Sequence, residues 1–320
     1  MNPVITIIIP SYNVEQYLTD ACESVLGQTY IYWEALIIDD GSSDNTAIIA
    51  NSFCNKDQRF KYIHQENKGL SFARKTGIDA AKGEFIQFLD ADDTLLPKRL
   101  EIMLDAVKAV EENIILYSDY IIGIDNSVTG RVTQSDIPIK LDNDITFNEM
   151  YVGFGNAFGF NPACILFRKS VFQYIKYDET LRSAEDWDLY LSFCSSGFKF
   201  RNISQVLVIY RHNPSGLSSN RDKMFYYSSI VTLKWKDEYK LSKYYYIRRI
   251  TSSLISYRGS SLKHRNKINY KQIYTELSGK EKALFNFYVI YYFIHNCLIP
   301  NILKRVQFNY SKTRSLLMGK

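Results

Sequence analysis

The stretch VITIIIPSYN, residues 4–13, decides the fold. Its first six residues are almost wholly Val and Ile, with no alternation of apolar and polar side chains. Such a run suits a strand buried on both faces, as in a parallel sheet. It then stops abruptly at Pro10-Ser11-Tyr12-Asn13, a turn-forming polar group. Working outward, the same unit recurs. Residues 14–27 carry apolar side chains at helical spacing, and WEALII (33–38) reads as a second strand. Asp44 or Asn45 opens a second helix through about residue 54. FKYIH (60–64) reads as a third strand, 70–82 as a helix and 84–89 as a fourth strand. Pro97 stands at the entry of a helix whose apolar face is Leu100, Met103, Leu104 and Val107. Strand and helix in alternation imply an α/β fold, a mostly parallel sheet flanked by helices.

Farther along, 114–124 reads as a strand, 125–150 as polar and poor in regular signals, and YVGFGNAFGF (151–160) as a Gly/aromatic loop. ACILF (163–167) reads as a strand, EDWDLYLSFCSS (185–196) as a helix and VLVIY (206–210) as the last clear strand. Beyond about residue 220 the chain becomes basic, Tyr-rich and helical. Residues 1–220 carry 19 Lys+Arg against 29 Asp+Glu, a net of −10, whereas 221–320 carry 20 against 5, a net of +15. We therefore expect an α/β domain over 1–220 and a basic helical region over 221–320 with an anionic partner. FNFYVIYYFIHNCLIPNILKRV (285–306) reads as a helix lying in a membrane interface or packed on the first domain. The five cysteines are scattered and form no C-x-x-C pair. Neither a zinc site nor a disulfide framework is suggested, and a reducing cytoplasm fits. No leader pattern is visible at the N-terminus.

In an open parallel sheet, ligands bind beyond the carboxyl ends of the strands. Three polar clusters fall there: Pro10–Asn13, Asp39–Asp44, and Asp90-Ala91-Asp92-Asp93. Neither a G-x-G-x-x-G nor a Walker A loop is present. Carboxylates as crowded as Asp90, Asp92 and Asp93 raise one another's pKa unless a cation neutralises them. A hard divalent ion taking one or two carboxylates plus substrate phosphates does so. An acidic turn favouring the dipole of the following helix is the alternative. Glu185-Asp186-Trp187-Asp188 has the same two readings: helix capping, or a carboxylate base beside an apolar ring that raises its pKa.

Four segments, IIIPSYNVEQYLTDACESVLGQTY, WEALIIDDGSSDNT, NKGLSFARKTGIDAAKGEFIQFLDADD and SAEDWDLYL, together resemble the family 2 glycosyltransferases of GT-A fold, over about residues 3–215. The resemblance implies that Pro10 and Tyr12 border a nucleobase, that Asp39 bonds the uracil edge and that Asp40 supports that loop. It implies Arg74 near the nucleotide, with Lys75 as a substitute. Asp90 and Asp92 match the DXD pair around Ala91: Asp92 as direct ligand to Mg²⁺ or Mn²⁺, Asp90 toward the sugar, and Asp93 supporting the loop. Asp186 matches the catalytic base, with Glu185 and Trp187 shaping the acceptor side. Arg211 and His212 match residues closing over the diphosphate, and for His212 an ordinary packed histidine is equally consistent. The implied reaction is inverting transfer from a UDP-sugar to a saccharide or lipid-diphosphate-linked acceptor at the cytoplasmic membrane surface, with no nucleic-acid partner. A nucleotidyltransferase, or a non-catalytic lipid- or nucleic-acid-binding protein, are the alternatives. A processive synthase is disfavoured, since no Q-x-x-R-W follows the ED motif.

Overall fold

The computed structural model describes residues 2–124, 127–132, 144–155, 159–175, 178, 180–211, 213, 216, 220–238, 279 and 282. Strand β1 (Ile5–Ser11) is buried along its whole length and forms the middle of the main sheet. β2 (Trp33–Asp39), β3 (Phe60–His64) and β4 (Phe85–Phe88) lie parallel with it in the order β3-β2-β1-β4. β2 and β4 are buried throughout, as their apolar runs require. The order reverses at β1, so the crevice between β1 and β4 is where such a sheet opens to a ligand. Between the strands run α1 (Leu18–Leu26), α2 (Thr46–Lys56) and α3 (Leu70–Ala80).

The second half builds a smaller sheet beside the first. β5 (Thr94–Leu95), β6 (Ile114–Ile124), β7 (Ser127–Val132) and β9 (Lys199–Arg211) form the order β5-β9-β6-β7. β8 (Leu166–Arg168) joins the edge of the main sheet antiparallel to β4. Helices α4 (Arg99–Lys108), α5 (Phe147–Gly153) and α6 (Glu185–Ser195) complete this half. An aromatic core locks α6 in place. Tyr190 packs on Phe160 with ring centroids 5.0 Å apart, and Phe193 stacks on Phe167 at 5.6 Å. Burying each such ring contributes about 1.5–3 kcal/mol, and each aromatic pair a further ~1 kcal/mol.

Several expectations need amendment. The polar stretch 125–150 contains β7 and the start of α5. β7 pairs only with β6 at the edge of its sheet, where no apolar run is needed. α5 replaces part of the expected loop, and its start is fixed by a capping box of Thr146 and Glu149. ACILF begins as a 3-10 turn at Pro162–Cys164, because the Asn161 side chain accepts from the Cys164 N–H, and only Leu166–Arg168 is strand. The last strand starts seven residues before VLVIY, at Lys199. The expected helix at 285–306 lies outside the described residues. Among those residues, no helix is long and apolar enough to cross a membrane.

Helix α7 (Arg221–Lys234), which the charge asymmetry groups with the basic region, packs on α5 and α6. Val231 is fully buried, and the Tyr151 hydroxyl donates to the Thr232 carbonyl at 2.8 Å. Asp188 of α6 accepts from Lys234 Nζ at 2.8 Å and from the Trp235 indole at 2.7 Å. Lys234 also reaches Asp178 at 3.0 Å. The last turn of α7 is thereby fastened to the first turn of α6.

Candidate active site

The three polar clusters meet on one rim, as strand order demands. After β1, Tyr12 stands 51% exposed above buried Pro10 and Ser11. Asn13 adopts a left-handed backbone (φ 51°), and its side-chain oxygen accepts from the Ser43 N–H at 2.8 Å, joining the first loop to the second. After β2, Asp39 is buried and accepts from the Ser42 N–H at 2.8 Å and the Tyr62 hydroxyl at 2.6 Å. Burial alone would raise its pKa, but the bonds from Ser42 and Tyr62 outweigh it and hold Asp39 below the usual carboxylate range. Asp40 accepts from Gln65 Nε2 at 2.7 Å and from the backbone N–H groups of Lys68 and Gly69 at 2.9 and 2.7 Å. It braces the entry to α3.

Arg74 lies on α3 with its guanidinium buried. It reaches Asp90 at 2.8 Å and Glu185 at 3.1 Å. One buried cation therefore ties the DADD loop to the first turn of α6, clusters 95 residues apart in the chain. The resemblance implies Arg74 near the nucleotide and gives no sign of this bridge. Lys75 turns away and pairs with Asp79 on the outer face of α3, so it does not substitute for Arg74.

In the DADD loop, Ala91 is buried and Asp90 is partly open. Asp92 accepts from Asn213 Nδ2 at 3.1 Å, and Asp93 from Asn161 Nδ2 and the Arg211 N–H, both at 2.9 Å. Burial and then the neighbouring Asp90 raise Asp92, while the Asn213 bond opposes the rise. Asp93 is pushed up further, by burial and then by Asp90 and Asp92. Asp93 is thus an internal support of the loop. Asn161 and Asn213, which hold this loop, escaped sequence reasoning, because lone asparagines in irregular segments carry no periodic signal. Arg211 reaches Asp20 of α1 at 2.6 Å and lies 5.3 Å over the Tyr17 ring. Its charge still opposes the rise at both Asp92 and Asp93, so it stands at the same rim. His212 lies outside the described residues.

At the fourth corner, Ala184 precedes α6 in a left-handed conformation (φ 58°), a strained position for a residue with a Cβ. Asp186 follows in the first turn, and its Oδ1 accepts from the Trp187 N–H at 2.7 Å. Burial, then the adjacent Glu185, push its carboxyl up to about 7 against the pull of Arg74. The sequence motif pointed to Trp187 as the apolar neighbour on the acceptor side. Its ring is instead buried, 2% exposed, with the indole N–H on the Met150 carbonyl at 3.0 Å. Trp187 supports α6 from below and does not face the rim.

The residues of an oxygen-rich rim, a buried arginine bridge and a carboxyl poised near neutrality are now in place. The sequence profile described as "Glycosyl transferase family 2" matches residues 6–175. The chain belongs to glycosyltransferase family 2. It is 31% identical to the glycosyltransferase EpsJ of Bacillus subtilis (strain 168) over 224 residues, 68% of this chain and 64% of EpsJ. The chain thus spans somewhat under two thirds of that relative. It is 32% identical to the UDP-Glc:alpha-D-GlcNAc-diphosphoundecaprenol beta-1,3-glucosyltransferase WfgD of Escherichia coli, over 69% of this chain and 81% of WfgD. Among solved structures, that of S. aureus TarS 1-349 in complex with UDP-GlcNAc superimposes with a TM-score of 0.62. It covers 88% of this chain and 83% of TarS at 18% identity, a likeness of fold. The two-sheet α/β architecture is the GT-A fold that the motifs implied.

Proposed function

We propose that this family 2 chain is an inverting glycosyltransferase that moves a hexose or N-acetylhexosamine from a UDP-sugar to an acceptor hydroxyl, with Asp186 as base. The observation that carries this reading is the Arg74 bridge, which ties Asp90 at 2.8 Å to Glu185 at 3.1 Å and so sets the DADD loop beside the first turn of α6, where burial and Glu185 raise the Asp186 carboxyl. A base is most effective when its pKa lies near the working pH. In the proposed reaction Asp186 takes the proton of the attacking hydroxyl as that oxygen bonds to the anomeric carbon and the nucleotide diphosphate leaves. Attack from the face opposite the leaving group turns an α-linked donor into a β-glycoside.

Pro10, Tyr12 and Asp39 are assigned to the nucleobase, with Asp40 holding their loop. Arg74 keeps Asp90 and Glu185 in place on either side of the donor. Arg211 is assigned to the diphosphate, on the grounds that its charge already acts on Asp92 and Asp93. Among the described residues, no group of three or more His, Cys, Asp or Glu side chains could hold a metal by itself. Asp92 and Asp90 nevertheless fit a hard cation that shares its shell with phosphates, because both offer carboxylate oxygens and burial, then the neighbouring Asp90, raise Asp92. When bound there, Mg²⁺ or Mn²⁺ would supply positive charge to the departing diphosphate.

By analogy with WfgD, whose name specifies a diphosphoundecaprenol acceptor, we assign the acceptor to the polyprenyl-diphosphate-linked saccharides of surface polysaccharide synthesis. The net charge of +15 over residues 221–320 supports work at an anionic, cytoplasmic membrane surface. Family membership sets aside the nucleotidyltransferase alternative. The deciding experiment is a donor-hydrolysis screen across UDP-, dTDP- and GDP-sugars with and without Mn²⁺. Hydrolysis confined to a UDP-sugar and dependent on Mn²⁺ is expected, and silence with every donor would overturn the reading.

A further inference from the structure

Two cations beside α6 have no role in the arrangement above. Arg182 precedes Glu185 by three residues, and its Nη1 donates to the Lys68 carbonyl at 2.6 Å. The same Lys68 and its neighbour Gly69 donate their N–H groups to Asp40. Gly69 has φ +96°, and a Cβ there would collide with the Arg182 guanidinium. The rim carboxylate Asp40 therefore holds the loop, and the loop seats the arginine against bare backbone.

Lys223 comes from the other side, in the first turn of α7, where Asn220 caps the helix by accepting from the Lys223 N–H at 3.0 Å. The Ser183 hydroxyl meets Met224 Sδ at 2.7 Å, which brings residues 182–183 against 223–224. Partial burial, then the nearby Arg182, push the Lys223 ammonium down, while Glu185 opposes the shift. Glu185 is already shared with Arg74 at 3.1 Å. Among the described residues, neither Arg182 nor Lys223 has a carboxylate within ion-pair distance.

Exposed Arg182 and half-buried Lys223 are like charges held on adjoining residues, an arrangement that an anion joining them relieves. A planar arginine fork with a mobile ammonium suits a phosphate ester. The proposed donor diphosphate is assigned to Asp92, whose surroundings are Asn213 and Arg211 and include neither of these two cations. The Asp90–Arg74–Glu185 bridge links the DADD loop to Glu185, the carboxylate that acts on Lys223. We propose that Arg182 and Lys223 form a phosphate-ester subsite that holds the acceptor beside Asp186. This assignment rests on the transferase reading and gives its acceptor an anionic group close to the attacking hydroxyl.

The test uses the full chain and its Arg182→Gln, Lys223→Gln and double variants, with melting curves to confirm folding. Calorimetry follows binding of farnesyl diphosphate, of inorganic pyrophosphate and of UDP with Mn²⁺. With UDP saturating, the double variant should bind farnesyl diphosphate at least about tenfold more weakly, while its UDP affinity stays within about twofold. If UDP affinity falls in step, the pair serves the donor diphosphate and the acceptor assignment is overturned. Unchanged farnesyl diphosphate binding in the double variant, or none in the wild type, also overturns it. A pyrophosphate response equal to that of farnesyl diphosphate supports recognition of phosphate without help from the lipid. If the wild type fails to bind UDP, the transferase reading falls. A pair-dependent farnesyl diphosphate response would then still support the phosphate subsite.

Discussion

Replacing Asp186 by Asn should cost activity and add stability, and the two effects have one origin. The Asp186 carboxyl is moved from an ordinary value of 3.8 to about 7 by burial and by Glu185. Its ionisation is therefore harder in the folded chain than in the unfolded one. Each tenfold change in proton affinity is worth about 1.36 kcal/mol, so full ionisation costs the fold up to about 4 kcal/mol. The sign follows from the raised value: below about pH 3 both states are largely protonated and there is almost no cost. The cost grows as pH rises and levels off above about 7. Asn keeps the oxygen that accepts from the Trp187 N–H and removes the charge. Asp186→Asn should thus be about 2–4 kcal/mol more stable than wild type at pH 8 and nearly equal to it at about pH 3, by urea unfolding at each pH. Transfer by the same variant should fall by about 10²–10⁴, the usual worth of a general base, with UDP affinity retained. Equal stability at pH 8 would refute the raised pKa. Undiminished transfer would remove Asp186 from the base role.

Glu185→Gln removes the neighbour that raises Asp186, so the acid limb of the transfer rate should move below its wild-type position near pH 7. An upward or absent shift in the pH profile would contradict that coupling. Asp92→Ala should abolish the gain in UDP affinity produced by Mn²⁺ while leaving metal-free UDP binding intact, as read by paired titrations. Lys234→Met leaves buried Asp188 with the Trp235 indole alone. Because Lys234 is itself over a third exposed, the expected loss is about 1–2 kcal/mol, below that of a fully buried pair. Chemical denaturation would measure it.

How much of this was legible in the sequence follows from the length scale of each signal. The continuous apolar runs of β1, β2 and β4 report burial on both faces directly, and the carboxylates that end or follow them had to lie on one rim. β5 is two residues long and β7 sits at an edge, so neither needs an apolar pattern. α5 announced itself only through Thr146 and Glu149, three residues apart. Within the site, Asp186, Arg74 and Asp92 stood out because motifs carry them. Trp187 was misplaced because an apolar residue beside a motif reads the same whether it faces a ligand or the core. The clamp of Lys234 and Trp235 on Asp188 was invisible, since it joins positions 46 and 47 residues apart with no shared pattern.

That clamp decides where the chain can be shortened. Ending it at residue 220, where its charge changes sign, would uncover the floor beneath α6, strand Asp188 without either donor and strip the cover from Tyr151. The piece that remained would keep every motif residue and still lose the footing of the helix that carries Asp186, so the smallest unit that keeps α6 anchored runs through α7 to at least Trp235.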